Sequence, residues 1–183
     1  MLEHASAVRR IALAFMAMLA ATSAFATDYY ADSAGGNWIT NTTWHVGSPG
    51  GSNPTPGTYP GTVTGDNVFI QLSSGVSVNS GIPQPVVLAH SCACTLNVQT
   101  GGTLKVTGSS TVLAGATLAI SGGTITNDNT LSFAAASFFN WTGGLLNGGG
   151  TTFLAFGTPN SAKMNLTSGT NIVSNQFLNV DGE

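Results

Sequence analysis

From Val68 onward, apolar residues fall at alternate positions in very short units, each closed by turn-forming residues. Val68-Phe69-Ile70-Gln71-Leu72 runs into Ser73-Ser74-Gly75, and Val76-Ser77-Val78 into Asn79-Ser80-Gly81. Cys94-Thr95-Leu96-Asn97-Val98, Leu104-Lys105-Val106, Leu118-Ala119-Ile120, Leu131-Ser132-Phe133, Met164-Asn165-Leu166 and Leu178-Asn179-Val180 repeat the pattern. Apolar residues two apart, with a polar or small residue between them, predict short strands with one face inward. Lys105, between Leu104 and Val106, is therefore placed on the outer face. Successive units begin about six to eight residues apart, which suits three short strands per coil and a repeat of roughly 20 residues. Leu96 to Leu118 is 22 residues and Leu118 to Phe139 is 21, so apolar positions return at that interval. The expected class is all-β, a solenoid of stacked coils. A β-sandwich is the rival reading, since short strands with glycine-rich turns describe it too. Sandwich strands, however, usually need about 5–6 residues, more than many of these units contain.

Residues 27–66 lack both the alternation and any helical period. Trp38, Trp44 and Tyr59 lie there among glycine, proline, serine, threonine and asparagine, and six of the seven prolines fall between Pro49 and Pro85. This stretch is read as an irregular entry and cap segment, and 67–183 as solenoid repeats. Ahead of it, Arg9-Arg10, the apolar run Ile11 to Ala21, and Ala24-Phe25-Ala26 follow the order of a secretory signal peptide. Residues 1–26 are accordingly expected to be a removable leader, cut before Thr27. The apolar run is shorter than the roughly 20 residues of a spanning helix, and no later segment is expected to cross a membrane.

Composition changes the picture mainly by exclusion. Only four residues are Lys or Arg, and two of them are in the leader. Beyond it, Lys105 and Lys163 face Asp28, Asp32, Asp66, Asp128, Asp181 and Glu183. Two lysines cannot neutralise a nucleic-acid backbone, nor build the cationic clamp of phosphoryl chemistry. With 42% hydrophobic residues the chain is too apolar to be disordered. Its many threonines and asparagines suit outward ladders along stacked coils.

The segment from Phe139-Asn140-Trp141-Thr142-Gly143-Gly144 to Thr151-Thr152, with Met164-Asn165-Leu166 and Leu178-Asn179-Val180-Asp181, resembles repeats of bacterial secreted β-helix proteins, adhesin-like and autotransporter-passenger-like. Gly36-Asn37-Trp38, Trp44, Pro60 and Asp66-Asn67-Val68-Phe69-Ile70 are similar to the module that often opens such chains. The resemblance implies a right-handed parallel β-helix at the cell surface and carries no catalytic residue across. Gln176 to Glu183 stops within a repeat, so an N-terminal fragment of a longer surface protein is expected, or else self-association through the open strand edge.

Two groups of residues are candidate sites. His90, Cys92 and Cys94 alternate, so on an extended strand they share a face, and an imidazole with two thiolates suits zinc or copper. Cys94 also shares parity with Leu96 and Val98, which points instead to core packing, with or without a disulfide. In a regular strand such cysteines are roughly 6.5–7 Å apart between Cα atoms, so a bond between them requires a distorted backbone. Trp38, Trp44 and Tyr59, near Asp32, His45 and Asp66, form either a sugar-stacking platform or a plug for the open first coil. Catalysis finds little support: the acids are scattered, Asp66 and Asp128 are not brought together by any pattern, and only His45 and His90 could activate a serine. Thr124 and Thr126 form an outward pair that does not recur in neighbouring coils. No catalytic residue and no cofactor is implied. The expected role is an exported, non-enzymatic structural or adhesive solenoid whose partners are a glycan, matrix or surface protein. The alternative is a carbohydrate-binding module, or the non-catalytic start of a polysaccharide-degrading enzyme.

Overall fold

The computed structural model describes residues 25–71, 74–82, 84–154, 161–167, 169–174 and 176–180. Nearly all of the expected leader lies outside the described residues. The strands are β1 (Asp28–Ala31), β2 (Gly36–Asn37), β3 (Trp44–Val46), β4 (Asn67–Ile70), β5 (Val76–Val78), β6 (Val87–His90), β7 (Thr95–Gln99) and β8 (Thr103–Val106). They continue with β9 (Ser109–Val112), β10 (Thr117–Asn127), β11 (Thr130–Phe133), β12 (Phe138–Asn147), β13 (Thr151–Leu154), β14 (Lys163–Leu166), β15 (Asn171–Ser174) and β16 (Phe177–Val180). Among the described residues the one helical element is a 3-10 turn, Asn41–Thr43.

These strands wind into a β-solenoid of about four turns. One face stacks β1, β4, β6, β9, β11, β13 and β16 in parallel. A second stacks β2, β5, β7, the first half of β10, the first half of β12, and β14. The third consists of β8, the second halves of β10 and β12, and β15. Parallel pairing excludes the sandwich, whose sheets are antiparallel. Among the described residues only β3 runs antiparallel, against β1.

Register reproduces the spacing of the apolar units. Leu96 is paired with Leu118, and Leu118 with Phe139. Alternation directs Leu96, Val98, Leu118, Ile120, Phe139 and Trp141 inward, where all are buried. Burying such side chains contributes about 1.5–3 kcal/mol each, and stacking lets each serve the coil above and the coil below. Lys105 lies between two buried residues and is itself only partly covered, as expected for the outer face. Asparagine stacking appears where Asn165 Nδ2 donates to Asn140 Oδ1 at 2.7 Å.

β10 and β12 each pass through a corner without breaking, and the glycine pairs Gly122-Gly123 and Gly143-Gly144 allow it. Gly122 and Gly144 have φ of +87° and +108°, a region costly for side-chain-bearing residues. A Cβ on Gly123 would collide with the Gln99 carbonyl, and one on Gly144 with the Gly123 carbonyl. The coils therefore approach closely at this corner.

Residues 27–66 supply the first coil and its cover. β1 and β2 pair with β4 and β5 as ordinary coil strands. Between them and β4 the chain makes β3 and a long loop that folds over the end of the core.

Candidate functional site

Trp38 and Trp44 are completely buried, with ring centroids 4.9 Å apart in a T-shaped arrangement. Their polar edges are satisfied: Trp38 Nε1 donates to the Pro60 carbonyl at 2.9 Å, and Trp44 Nε1 to the Trp38 carbonyl at 2.7 Å. Tyr59 is partly buried and packs on the same core. No face of either indole is available to a sugar ring, and the pair fills the end of the first coil as packing.

Asp66 holds this cover in place. Its carboxylate is fully buried and accepts three backbone N–H groups, from Thr27 on Oδ1 at 2.9 Å and from Gly61 and Val63 on Oδ2 at 2.9 and 3.3 Å. It thus joins the start of β1, the loop around Pro60 and the start of β4. Burial also pushes the Tyr29 hydroxyl above its ordinary pKa, an effect to which the negative charge of Asp66 adds.

On the outside of the same coil, Tyr30 and Phe69 stack with centroids 4.7 Å apart and planes 14° from parallel. They border a hollow of about 130 Å³ that also touches His45, Gln71 and Pro49. His45 Nε2 is 2.8 Å from Asp32 Oδ2, and Nδ1 is 2.6 Å from the Gly51 carbonyl. Asp32 also accepts the Ala34 N–H at 2.8 Å; this bond, followed by the His45 contact, holds its carboxyl below the ordinary value. In the sequence Asp32 stands out only as a neighbour of the tryptophans, His45 as that and as a possible activator of a serine, and Tyr30 and Phe69 carry no candidate role. The available signal was that Tyr30 and Phe69 are aromatics at the outward parity of their strands.

His90, Cys92 and Cys94 do come together: one ligand atom from each lies within 4.8 Å of the others. They do so at a corner rather than on a strand. β6 ends at His90 and the chain bends through Ser91–Cys94, bringing the Cys92 and Cys94 Cα atoms to 5.2 Å, within reach of the disulfide that joins them. His90 takes an inward place otherwise held by Ile70 and Val112. It is fully buried, with Nε2 3.0 Å from the Thr117 carbonyl, and burial pushes its pKa below the ordinary value. A neutral ring donating Nε2–H to that carbonyl turns the lone pair of Nδ1 toward Cys92 Sγ, 3.9 Å away. While the disulfide is closed neither sulfur is a thiolate, so the three groups form a ligand set only after reduction.

The remaining candidates stay apart. Asp66 belongs to the entry end, whereas Asp128 is exposed at the turn before β11, where its Oδ1 accepts the Gly149 N–H at 3.4 Å. Thr124 and Thr126 are partly exposed on one face of β10. Among the described residues no helix is long and apolar enough to cross a membrane. No family model matches the chain, and neither does any curated protein or solved structure with which it was compared.

Proposed function

We propose that the chain is an exported structural or adhesive β-solenoid of a bacterial surface or secreted protein, presenting a polar, weakly charged wall to a glycan, matrix or neighbouring protein. The observation that carries this reading is the stack itself: coils with a continuous apolar interior and outer faces rich in threonine, serine and asparagine, closed at the entry end by a dedicated cover. Such a rod presents a long surface, as solenoids generally do. The leader-like sequence of residues 1–26 and the Cys92–Cys94 disulfide both suit an oxidising, extracytoplasmic location. The test is to express the whole chain in a bacterial host, fractionate the cells, and measure binding of the recovered protein to immobilised glycans and matrix proteins. Recovery outside the cytoplasm with saturable binding supports the proposal. A chain retained in the cytoplasm in soluble form would remove its basis.

The Tyr30–Phe69 pair favours a second reading, carbohydrate recognition. An aromatic surface beside the polar groups of His45 and Gln71 has the make-up of a small sugar subsite. Tyr30→Ala and Phe69→Ala would then abolish glycan binding with the fold intact, whereas binding that survives both substitutions excludes this hollow as the site.

A further inference from the structure

We propose that cutting the chain between Ala26 and Thr27 completes a buried ion pair, the new α-ammonium of Thr27 with the carboxylate of Asp66, so that export processing locks the entry end of the solenoid. The inference rests on the export reading above and assigns that processing event a structural consequence.

Asp66 is a carboxylate with no accessible surface. Among the described residues the groups that meet the Asp66 carboxylate are backbone N–H groups, and no ion pair to it is found. A buried carboxylate held by amide hydrogen bonds alone lacks the compensating charge that burial ordinarily demands. The group nearest to supplying it is the Thr27 nitrogen, 2.9 Å from Oδ1. The Thr27 carbonyl is itself fixed, since it accepts the Asn67 N–H at 2.9 Å. Residue 27 is thus pinned on both sides, and its nitrogen is aimed at Asp66 before any cut is made.

The bond to be cut lies at the junction of covered and uncovered chain. Phe25 is 81% exposed and Ala26 is exposed, whereas Thr27 is half-buried. Ala24 and Ala26 are the small residues that leader removal requires on the departing side. A leader peptidase adds water across the Ala26–Thr27 amide: the C–N bond breaks, Ala26 leaves as a carboxylate, and the Thr27 nitrogen gains hydrogens to become an ammonium. The existing N–H···O contact, charged so far on the acceptor side alone, then joins an ammonium to a carboxylate and gains the attraction of opposite charges in a site shielded from solvent. Before cutting, the same nitrogen is an amide and carries no charge, so the precursor holds its first coil more loosely than the processed chain.

The test has two arms. In the first, the full precursor is exported from a bacterial host and the N-terminus of the recovered protein is read by mass spectrometry; it is expected to begin at Thr27. In the second, the processed chain is compared with one retaining Ala26 as a single-residue extension, each with Asp66 and with Asp66→Asn, by equilibrium denaturation. With Asp66 the extension is expected to raise the unfolding equilibrium constant about tenfold or more, and with Asp66→Asn to leave it unchanged. If Asp66→Asn does not fold, the acylation rate of the Thr27 amine decides: it is expected to be at least about tenfold slower in the folded than in the denatured chain. An uncut chain retained in the cytoplasm overturns the export reading and the lock with it, whereas export with a start at another residue overturns the lock alone. A start at Thr27 with equal stabilities, or an amine as reactive as in the denatured chain, overturns the lock alone.

Discussion

The entry end and the coils behind it solve the same problem, an apolar interior in need of cover, by opposite means. In the coils each apolar residue is covered by its register partner, so Leu118 lies between Leu96 and Phe139 and the polar accounting is done by parallel backbone ladders. At the entry end no further parallel coil precedes the first among the described residues, and single, non-repeated contacts take its place. Two buried indoles with bonded N–H groups, the Asn41 and Asn53 amides donating to the Pro54 and Trp44 carbonyls, and the Asp66 carboxylate do that work. The tryptophans show the contrast. Trp38 and Trp44 each have a hydrogen-bond acceptor, whereas the buried Nε1 of Trp141, stacked within the coils, has none among the described residues. Repetition tolerates an imperfect residue; a cap made of unique contacts has no substitute for any of them.

The strongest way to break that contrast is Trp44→Ala. It removes a fully buried indole at the cap, and a loss of about 3–5 kcal/mol is expected. Asp66→Ala follows, since three backbone N–H groups lose their acceptor, that of Gly61 buried and those of Thr27 and Val63 partly so; about 3 kcal/mol is expected. Both are read by chemical denaturation, and in the Asp66→Ala variant, which keeps both indoles, loss of the Trp38–Trp44 near-ultraviolet circular dichroism below the global transition would show the cap opening first. In the coils, Gly123→Ala drives a Cβ into the Gln99 carbonyl and the Val98 side chain, at an expected cost of about 1–3 kcal/mol. If Trp44→Ala costs less than Gly123→Ala, the cap is not the more demanding region. Replacing Cys92 and Cys94 together by serine opens a very short loop, for which about 1–2 kcal/mol is expected. Denaturation with and without a phosphine reductant checks it, because the reductant should affect the native chain and not the variant.

The coils were legible because their chemistry repeats. Leu96, Leu118 and Phe139, picked out by spacing, are true register partners, and the inward parity of Leu104 and Val106 around Lys105 holds. The phase of the coil was harder to read, although a marker was present: the glycine pairs 101–102, 122–123 and 143–144 recur every 21 residues and mark one corner. β1 escaped notice because Asp-Tyr-Tyr-Ala has no alternation and its partner β4 lies 39 residues on, beyond the cap insertion. His90 and the two cysteines were found as a cluster, but the bend that joins the sulfurs belongs to the corner, which residue parity does not encode. Asp66 looks like any surface acid in sequence. Its role depends on three N–H groups, two from the loop just before it and one from Thr27, 39 residues away, and only tertiary structure brings that last one in.

The smallest expected effect concerns the outer side of the cap. Asp32 is partly exposed and its carboxyl is held below the ordinary value, first by the Ala34 N–H and then by His45. A carboxyl whose pKa is lower folded than unfolded stabilises the fold while ionised. That contribution is complete above the ordinary value of 3.8 and disappears as pH falls through the lowered folded value. Asp32→Asn keeps an oxygen for the Ala34 N–H, removes the charge and puts an amide nitrogen where an oxygen faced His45. The variant should therefore melt slightly below the native chain at neutral pH, and the two curves should converge in acid beneath the carboxylate range. High salt should narrow the gap at neutral pH, because an exposed pair is screened. A gap that persists undiminished in acid would mean that the oxygen's shape, and not its charge, holds the outer turn against β3.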